Sequence, residues 1–284
     1  MLDEVVSELK KYNIYNPEIF KPSYKREITK FLIENSFRFE LLILFGGDGT
    51  FNEAINGLMK CNLKPNVLYV PTGTVNDLGK YLSLSKRYKE AFKMLEGQTV
   101  AIDICKVNDC YFSYVLACGK FTNVSYGSNL SKYKRIFGRL YYYLRGVKDF
   151  FKKSRIYLSL DNNKHKKYFL VLILNIWRVG NFRIRCKKEN KLNDGYVNVV
   201  LFRNTIFFGL FSLFMFLCFG VVIKGMVEVY KLSSFTISTL DKHLYNTDGE
   251  ESYKTNNIKV EVVKAGLNLY VGKKGVSKYF NIKN

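Results

Sequence analysis

The run Phe45-Gly46-Gly47-Asp48-Gly49-Thr50-Phe51-Asn52-Glu53-Ala54 ends the apolar stretch Leu41 to Leu44 with a glycine-rich, acidic turn. A second run, Pro71-Thr72-Gly73-Thr74-Val75-Asn76-Asp77-Leu78, repeats that design after the apolar stretch Val67 to Val70. Glycine lets backbone amides approach a ligand closely, and the first-turn amides of a helix, lacking internal partners, favour an anion. Thr50 to Glu53 also reads as a capping box, with Thr50 as N-cap and Glu53 reaching back. The plainer alternative is therefore a capped helix after a tight turn. The spacing is neither G-x-G-x-x-G nor G-x-x-x-x-G-K-[ST], so neither a dinucleotide fingerprint nor a Walker loop is present. Two such turns on neighbouring strands would enclose one polyphosphate.

The elements that must position these turns follow from periodicity. Helices are expected at Leu2 to Tyr12, Tyr24 to Asn35 and from Thr50, and strands at Ile14 to Phe20, Leu41 to Phe45 and Val67 to Val70. Alternating strands and helices imply a parallel sheet whose ligands bind beyond the carboxyl ends of the strands, where both turns lie. From about Gln98 the pattern turns to β: Val100 to Val107, Tyr111 to Cys118, Tyr168 to Trp177, Val197 to Phe202, Ile258 to Val263 and Leu267 to Val271. A basic, tyrosine-rich helical insertion, Tyr133 to Lys153, lies between. The expected organisation is an α/β nucleotide-binding domain at 1–98 and a β-sandwich-like domain at 99–275, with 276–284 a candidate to pack back onto the first.

Lys and Arg outnumber Asp and Glu by 45 to 24, a formal charge of +21, so the 284-residue chain should seek anionic partners. No zinc-ligand cluster, recognition-helix signature or RNA-binding aromatic motif is present, which argues against a sequence-reading nucleic-acid protein. The six cysteines contain no C-x-x-C pair and mostly fall in apolar segments, as reduced thiols of a cytosolic protein do. With only His165 and His243, a histidine-based metal or nucleophile site is not expected.

The ordered pair of motifs resembles the diacylglycerol kinase catalytic-domain family of bacterial lipid kinases. G-G-D-G-T alone is shared with NAD kinases, but P-x-G-T-x-N-D at this distance is far more specific. Leu192-Asn193-Asp194-Gly195 and Asp248-Gly249-Glu250 also fit. The resemblance implies an ATP- and magnesium-dependent kinase. Gly46, Gly47, Asp48, Gly49, Thr50, Phe51, Asn52, Glu53, Gly73, Thr74 and Asn76 would surround the nucleotide. Asp48 and Asp77 would orient magnesium and phosphates, and Glu250 would act as general base towards a lipid hydroxyl. A structural magnesium would sit on Asp194 and the carbonyls of Lys191 and Tyr196. Implied partners are ATP, a diacylglycerol-like lipid and an anionic membrane surface, with a homodimer allowed, and the implied location is the cytoplasmic face of the membrane. Phosphoryl transfer needs a phosphate cradle, a metal held by oxygen and a group that takes the hydroxyl proton, and each has a candidate here.

Family members usually open with an apolar strand and an N-P-x-S-G-like turn, whereas Met1-Leu2-Asp3 already reads as helix. The opening strand is expected to be absent, through a start assigned too late or, less favoured, a natural truncation. The alternatives are a NAD kinase, or a non-catalytic binder of anionic lipid. Finally, Thr205 to Ile223 is nineteen residues without charge between Arg203 and Lys224. Its length suits a transmembrane helix, but one crossing would part Asp194 from Glu250, so an interfacial or bent helix is expected, with core burial as the alternative.

Overall fold

The computed structural model describes residues 2–119, 155–161, 163–186, 191–205, 208–249 and 251–281. The expected insertion at Tyr133 to Lys153 lies outside the described residues. The chain divides into two compact units, residues 1–113 with 190–195 and 262–284, and residues 114–189 with 196–261. The sequence boundary at 98 thus falls inside the first unit, which two later segments rejoin.

The first unit carries α1 (Leu2–Leu9), α2 (Glu27–Asn35), β1 (Leu41–Gly46), α3 (Asp48–Leu58), β2 (Asn66–Pro71), α4 (Asp77–Tyr81), α5 (Tyr88–Phe92), β3 (Thr99–Val107) and β4 (Cys110–Phe112). β1 and β2 pair in parallel from Leu41 opposite Asn66 to Gly46 opposite Pro71, so both glycine turns leave the same end of the sheet. Burial explains the elements: Phe51, Ala54, Ile55 and Leu58 of α3 recur at helical spacing and are all buried, as is β2 from Val67 to Pro71. The Phe51 ring meets that of Tyr69 on β2, centroids 4.7 Å apart.

No strand forms at Ile14 to Phe20. Asn13 and Asn16 take left-handed backbone conformations and Pro17 lacks an amide, so apolar content there cannot become a ladder.

The second unit carries β5 (Val115–Gly119), β6 (Ile156–Leu160), β7 (Lys166–Leu174), β8 (Arg178–Val179), β9 (Phe182–Arg183), β10 (Val197–Arg203), α6 (Phe208–Phe219), β11 (Val227–Leu232) and β12 (Ser234–Thr247). A long strand, β13 (Glu251–Tyr270), begins in this unit and ends in the first, where α7 (Lys273–Tyr279) follows. Within the first unit the end of β13 pairs in parallel with β2, Leu269 opposite Val67, and the Tyr279 ring of α7 lies 4.1 Å from that of Tyr81.

In the second unit β12, β5, β7, β10 and β11 are successive antiparallel neighbours. β6 also pairs with both β12 and β7, so β5 and β6 share one lane of the sheet. A β-sandwich-like arrangement was expected; these six strands form one hydrogen-bonded antiparallel network with irregularities at Phe202/Arg203 and, where β12 meets β13, at Ser238/His243, and β8 and β9 form a separate two-stranded sheet. The buried runs Tyr168 to Leu174 and Val197 to Phe202 form the centre of the larger network.

Candidate active site

The first turn begins where Gly47, in extended conformation, caps α3. Asp48 is thus the first helical residue, two positions before the expected N-cap Thr50, and no side chain caps the helix. Glycine at the cap keeps the space above the first-turn amides open, and a carboxylate at Asp48 is favoured by the dipole.

The second turn is bound directly to the first. The carbonyl of Gly46 accepts hydrogen bonds from the amides of Thr72 at 2.8 Å and Gly73 at 3.3 Å, and from the Tyr69 hydroxyl at 3.3 Å. A Cβ on Gly73 would stand 2.5 Å from Cα of Gly47 and 2.7 Å from Oδ1 of Asn76, closer than atoms pack. Only glycine at position 73 lets the two turns touch.

Asn76 supports the turn from a left-handed conformation, φ 52°. Its amide donates to the carbonyls of Pro71 at 3.1 Å and Gly73 at 2.5 Å. Its Oδ1 is buried with no hydrogen-bond partner among the described residues and lies against Gly73. A glycine cradle with a buried oxygen beside it fits a phosphate chain accompanied by a cation.

The other expected nucleotide residues divide. Gly49, Thr50 and Glu53 are half-buried and Thr74 is exposed, and a cavity of about 290 Å³ lined by Thr50, Glu53, Pro22, Ser23, Tyr24, Lys25 and Ile28 adjoins α3. Phe51 is committed to the core, and the buried Asn52 amide donates to the carbonyl of Tyr111 at 3.3 Å, so these two can offer a ligand only backbone. Asp77, the first residue of α4, is fully buried.

The Asp194 turn has its own support. Lys191 donates its amide to Asp194 Oδ2 at 3.4 Å and its Nζ to the carbonyl of Lys278 at 3.0 Å. Beneath lies Asp103 of β3, which sequence reasoning missed. Its Oδ2 accepts from the Gly195 amide at 2.6 Å and its Oδ1 from the Ala265 amide at 2.9 Å. Burial pushes the Asp103 carboxyl up from its usual range, the two amides oppose this, and the charge of Asp194 adds to the rise. Its signal was an acid within the apolar strand Ala101-Ile102-Asp103-Ile104-Cys105. Among the described residues no three His, Cys, Asp or Glu side chains converge as metal ligands. A hard cation at Asp194 would therefore depend on main-chain carbonyls and water.

In the second unit Tyr196 is exposed, with Nζ of Lys231 5.4 Å from its ring. Glu250 lies outside the described residues, but the turn before it is pinned. Asp248 Oδ1 accepts from the amides of Tyr114 and Val115, each at 3.0 Å, and the Tyr114 hydroxyl donates to the Asp248 carbonyl at 2.9 Å. Asp248 and Gly249 both have positive φ, 49° and 75°, which closes the β12–β13 hairpin.

Residues 1–107 match the model of the diacylglycerol kinase catalytic domain. The diacylglycerol kinase of Staphylococcus epidermidis strain RP62A is 32% identical over 216 residues, covering 75% of this chain and 68% of the relative. The chain belongs to the diacylglycerol kinase family. It is therefore a lipid kinase, and a kinase of this family uses ATP. The diacylglycerol kinase of Staphylococcus aureus strain RF122 aligns over 267 residues at 29% identity, covering 84% of each chain. In fold, the chain is similar to a putative diacylglycerol kinase from Bacillus anthracis, with TM-score 0.77, 22% identity, and 96% of this chain and 92% of that chain covered. An NAD kinase from Archaeoglobus fulgidus in complex with ATP gives TM-score 0.57 at 14% identity, covering 97% and 91%. The diacylglycerol kinase fold thus shares a wider architecture with NAD kinases.

Proposed function

We propose that this lipid kinase transfers the γ-phosphate of ATP to the hydroxyl of diacylglycerol or a related lipid, giving phosphatidic acid or its analogue, at the inner face of a membrane. The observation that carries this is the contact of the Gly47 and Gly73 turns, which builds a backbone cradle at the end of a parallel pair of strands. First-turn amides of α3 with Gly46, Gly47, Gly49, Thr50, Gly73 and Thr74 bind the phosphates, Asn76 braces the second turn, and Glu53 borders the adjoining cavity.

In the transfer the lipid hydroxyl oxygen bonds to the γ-phosphorus as the bond to the bridging oxygen breaks. ADP leaves with that electron pair, and the hydroxyl proton passes to the carboxylate of Glu250. Magnesium, when bound, neutralises phosphate charge. Asp48 and Asp77 would orient it with the nucleotide, and Asp194 with the carbonyls of Lys191 and Tyr196 would keep a structural ion.

A NAD kinase has the G-G-D-G-T motif and fold-level likeness in its favour, but not the P-x-G-T-x-N-D run. Incubating the full chain with γ-labelled ATP and magnesium, offering diacylglycerol micelles or NAD, separates the two. Label in the lipid is expected; label in NAD alone would overturn the proposal.

A further inference from the structure

α6 is built from Phe208-Gly209-Leu210-Phe211-Ser212-Leu213-Phe214-Met215-Phe216-Leu217-Cys218-Phe219, with no charged residue and almost no polar one. An all-apolar helix normally finds cover on every side. Among the described residues only one side is covered: Gly209, Ser212, Leu213 and Phe216 are buried. The Phe216 ring packs 5.4 Å from that of Phe202 and 6.2 Å from that of Trp177. Phe208, Phe211, Phe214 and Phe219 are each more than half exposed, and Val221 and Val222 continue the patch. Contiguous aromatic exposure of this kind marks an interaction surface.

The rim indicates what covers it. The β8–β9 hairpin packs beside α6 and brings exposed Arg183 and Arg185, and exposed Lys224 follows the patch in the chain. Neither 178–186 nor 203–227 contains an acidic residue. A two-fold contact with a second copy would set these cations against one another. A membrane crossing is also excluded by length, since twelve helical residues span about 18 Å and a hydrocarbon core about 30 Å.

We infer that α6 is a membrane wedge. Its exposed phenylalanines enter the acyl-chain boundary of a bilayer while Arg183, Arg185 and Lys224 meet anionic headgroups. This rests on the lipid-kinase reading only for its purpose, delivery of the enzyme to a substrate that does not leave the bilayer. The fold places the helix against β10 and β9 of the second unit, and neither glycine turn belongs to that unit.

The test compares the full chain with Phe211→Ser/Phe214→Ser by flotation on vesicles of phosphatidylcholine, with and without phosphatidylglycerol. The wild type should bind the anionic vesicles more tightly, and the double variant should bind on the order of a hundredfold more weakly. Trp177, the single tryptophan, lies under α6 and should be quenched by brominated lipid chains in the wild type alone. The variant should keep its melting temperature and its turnover of a short-chain diacylglycerol dissolved as monomers. Equal flotation of both proteins overturns the inference. So does a wild-type dimer that the substitutions dissolve, since a second copy would then be the occupant. Vesicle binding without lipid phosphorylation would remove the catalytic proposal and leave the wedge. Turnover of dissolved lipid without vesicle binding would do the reverse.

Discussion

α3 and α6 are helices of similar length with opposite deficits. Every apolar side chain at the helical spacing of α3 has a partner inside the first unit, and what it leaves open is polar: first-turn amides above Gly47 with no side-chain cap. α6 leaves open apolar surface, with Phe211 and Phe214 more than half exposed. An element's unmet need names its ligand class. Open amides beside a second glycine turn call for phosphate, and uncovered phenylalanines rimmed by arginine call for lipid.

The comparison breaks most sharply at the chemistry. Asp48→Asn and Glu250→Gln are each predicted to lower turnover by about 10² to 10⁴ without lowering the melting temperature, since each exchange is isosteric and removes only the charge. Turnover near wild type in either variant, measured with labelled ATP and diacylglycerol, would remove that residue from the mechanism. The α6 side predicts a smaller and separable loss: Phe211→Ser alone should raise the vesicle dissociation constant about tenfold while leaving ATP affinity unchanged. A change in ATP affinity would mean the two deficits are not independent.

A smaller effect sharpens what holds the sheet under α6. Burial would raise the Glu228 carboxyl, but hydrogen bonds from Tyr230, Arg203 and Tyr168 outweigh it and hold the group below its usual range. A carboxyl depressed on folding contributes stability above its unfolded value, and that contribution is lost as pH falls through the folded value. Glu228→Gln should therefore lower the melting temperature by roughly 2 °C at pH 7 and by less below pH 4. A deficit independent of pH in thermal melts would contradict the assignment.

Local chemistry was the legible part of the sequence. The glycine turns, the strands before them and the helices after them were visible because glycine, threonine and apolar periodicity act over a few residues. Long-range supports were not. Asp103 looked like a stray acid in a strand until its amide partners, Gly195 and Ala265, were brought to it across the chain. β13 read as two strands because Lys264-Ala265-Gly266 breaks the alternation, yet the ladder continues past Ala265 at φ 51°. The apolar stretch from Thr205 was visible, but which side of its helix is covered depends on Phe202 and Trp177.

The central claim is that the two glycine turns form one nucleotide cradle, and equilibrium ATP binding by Gly73→Ala tests it most directly. The added methyl must occupy space 2.5 Å from Cα of Gly47, whereas a methyl at Gly272, also in the first unit, meets nothing within 4 Å. Gly73→Ala should weaken ATP binding about a hundredfold or more, and Gly272→Ala should bind as the wild type does. Wild-type affinity in Gly73→Ala would contradict the account.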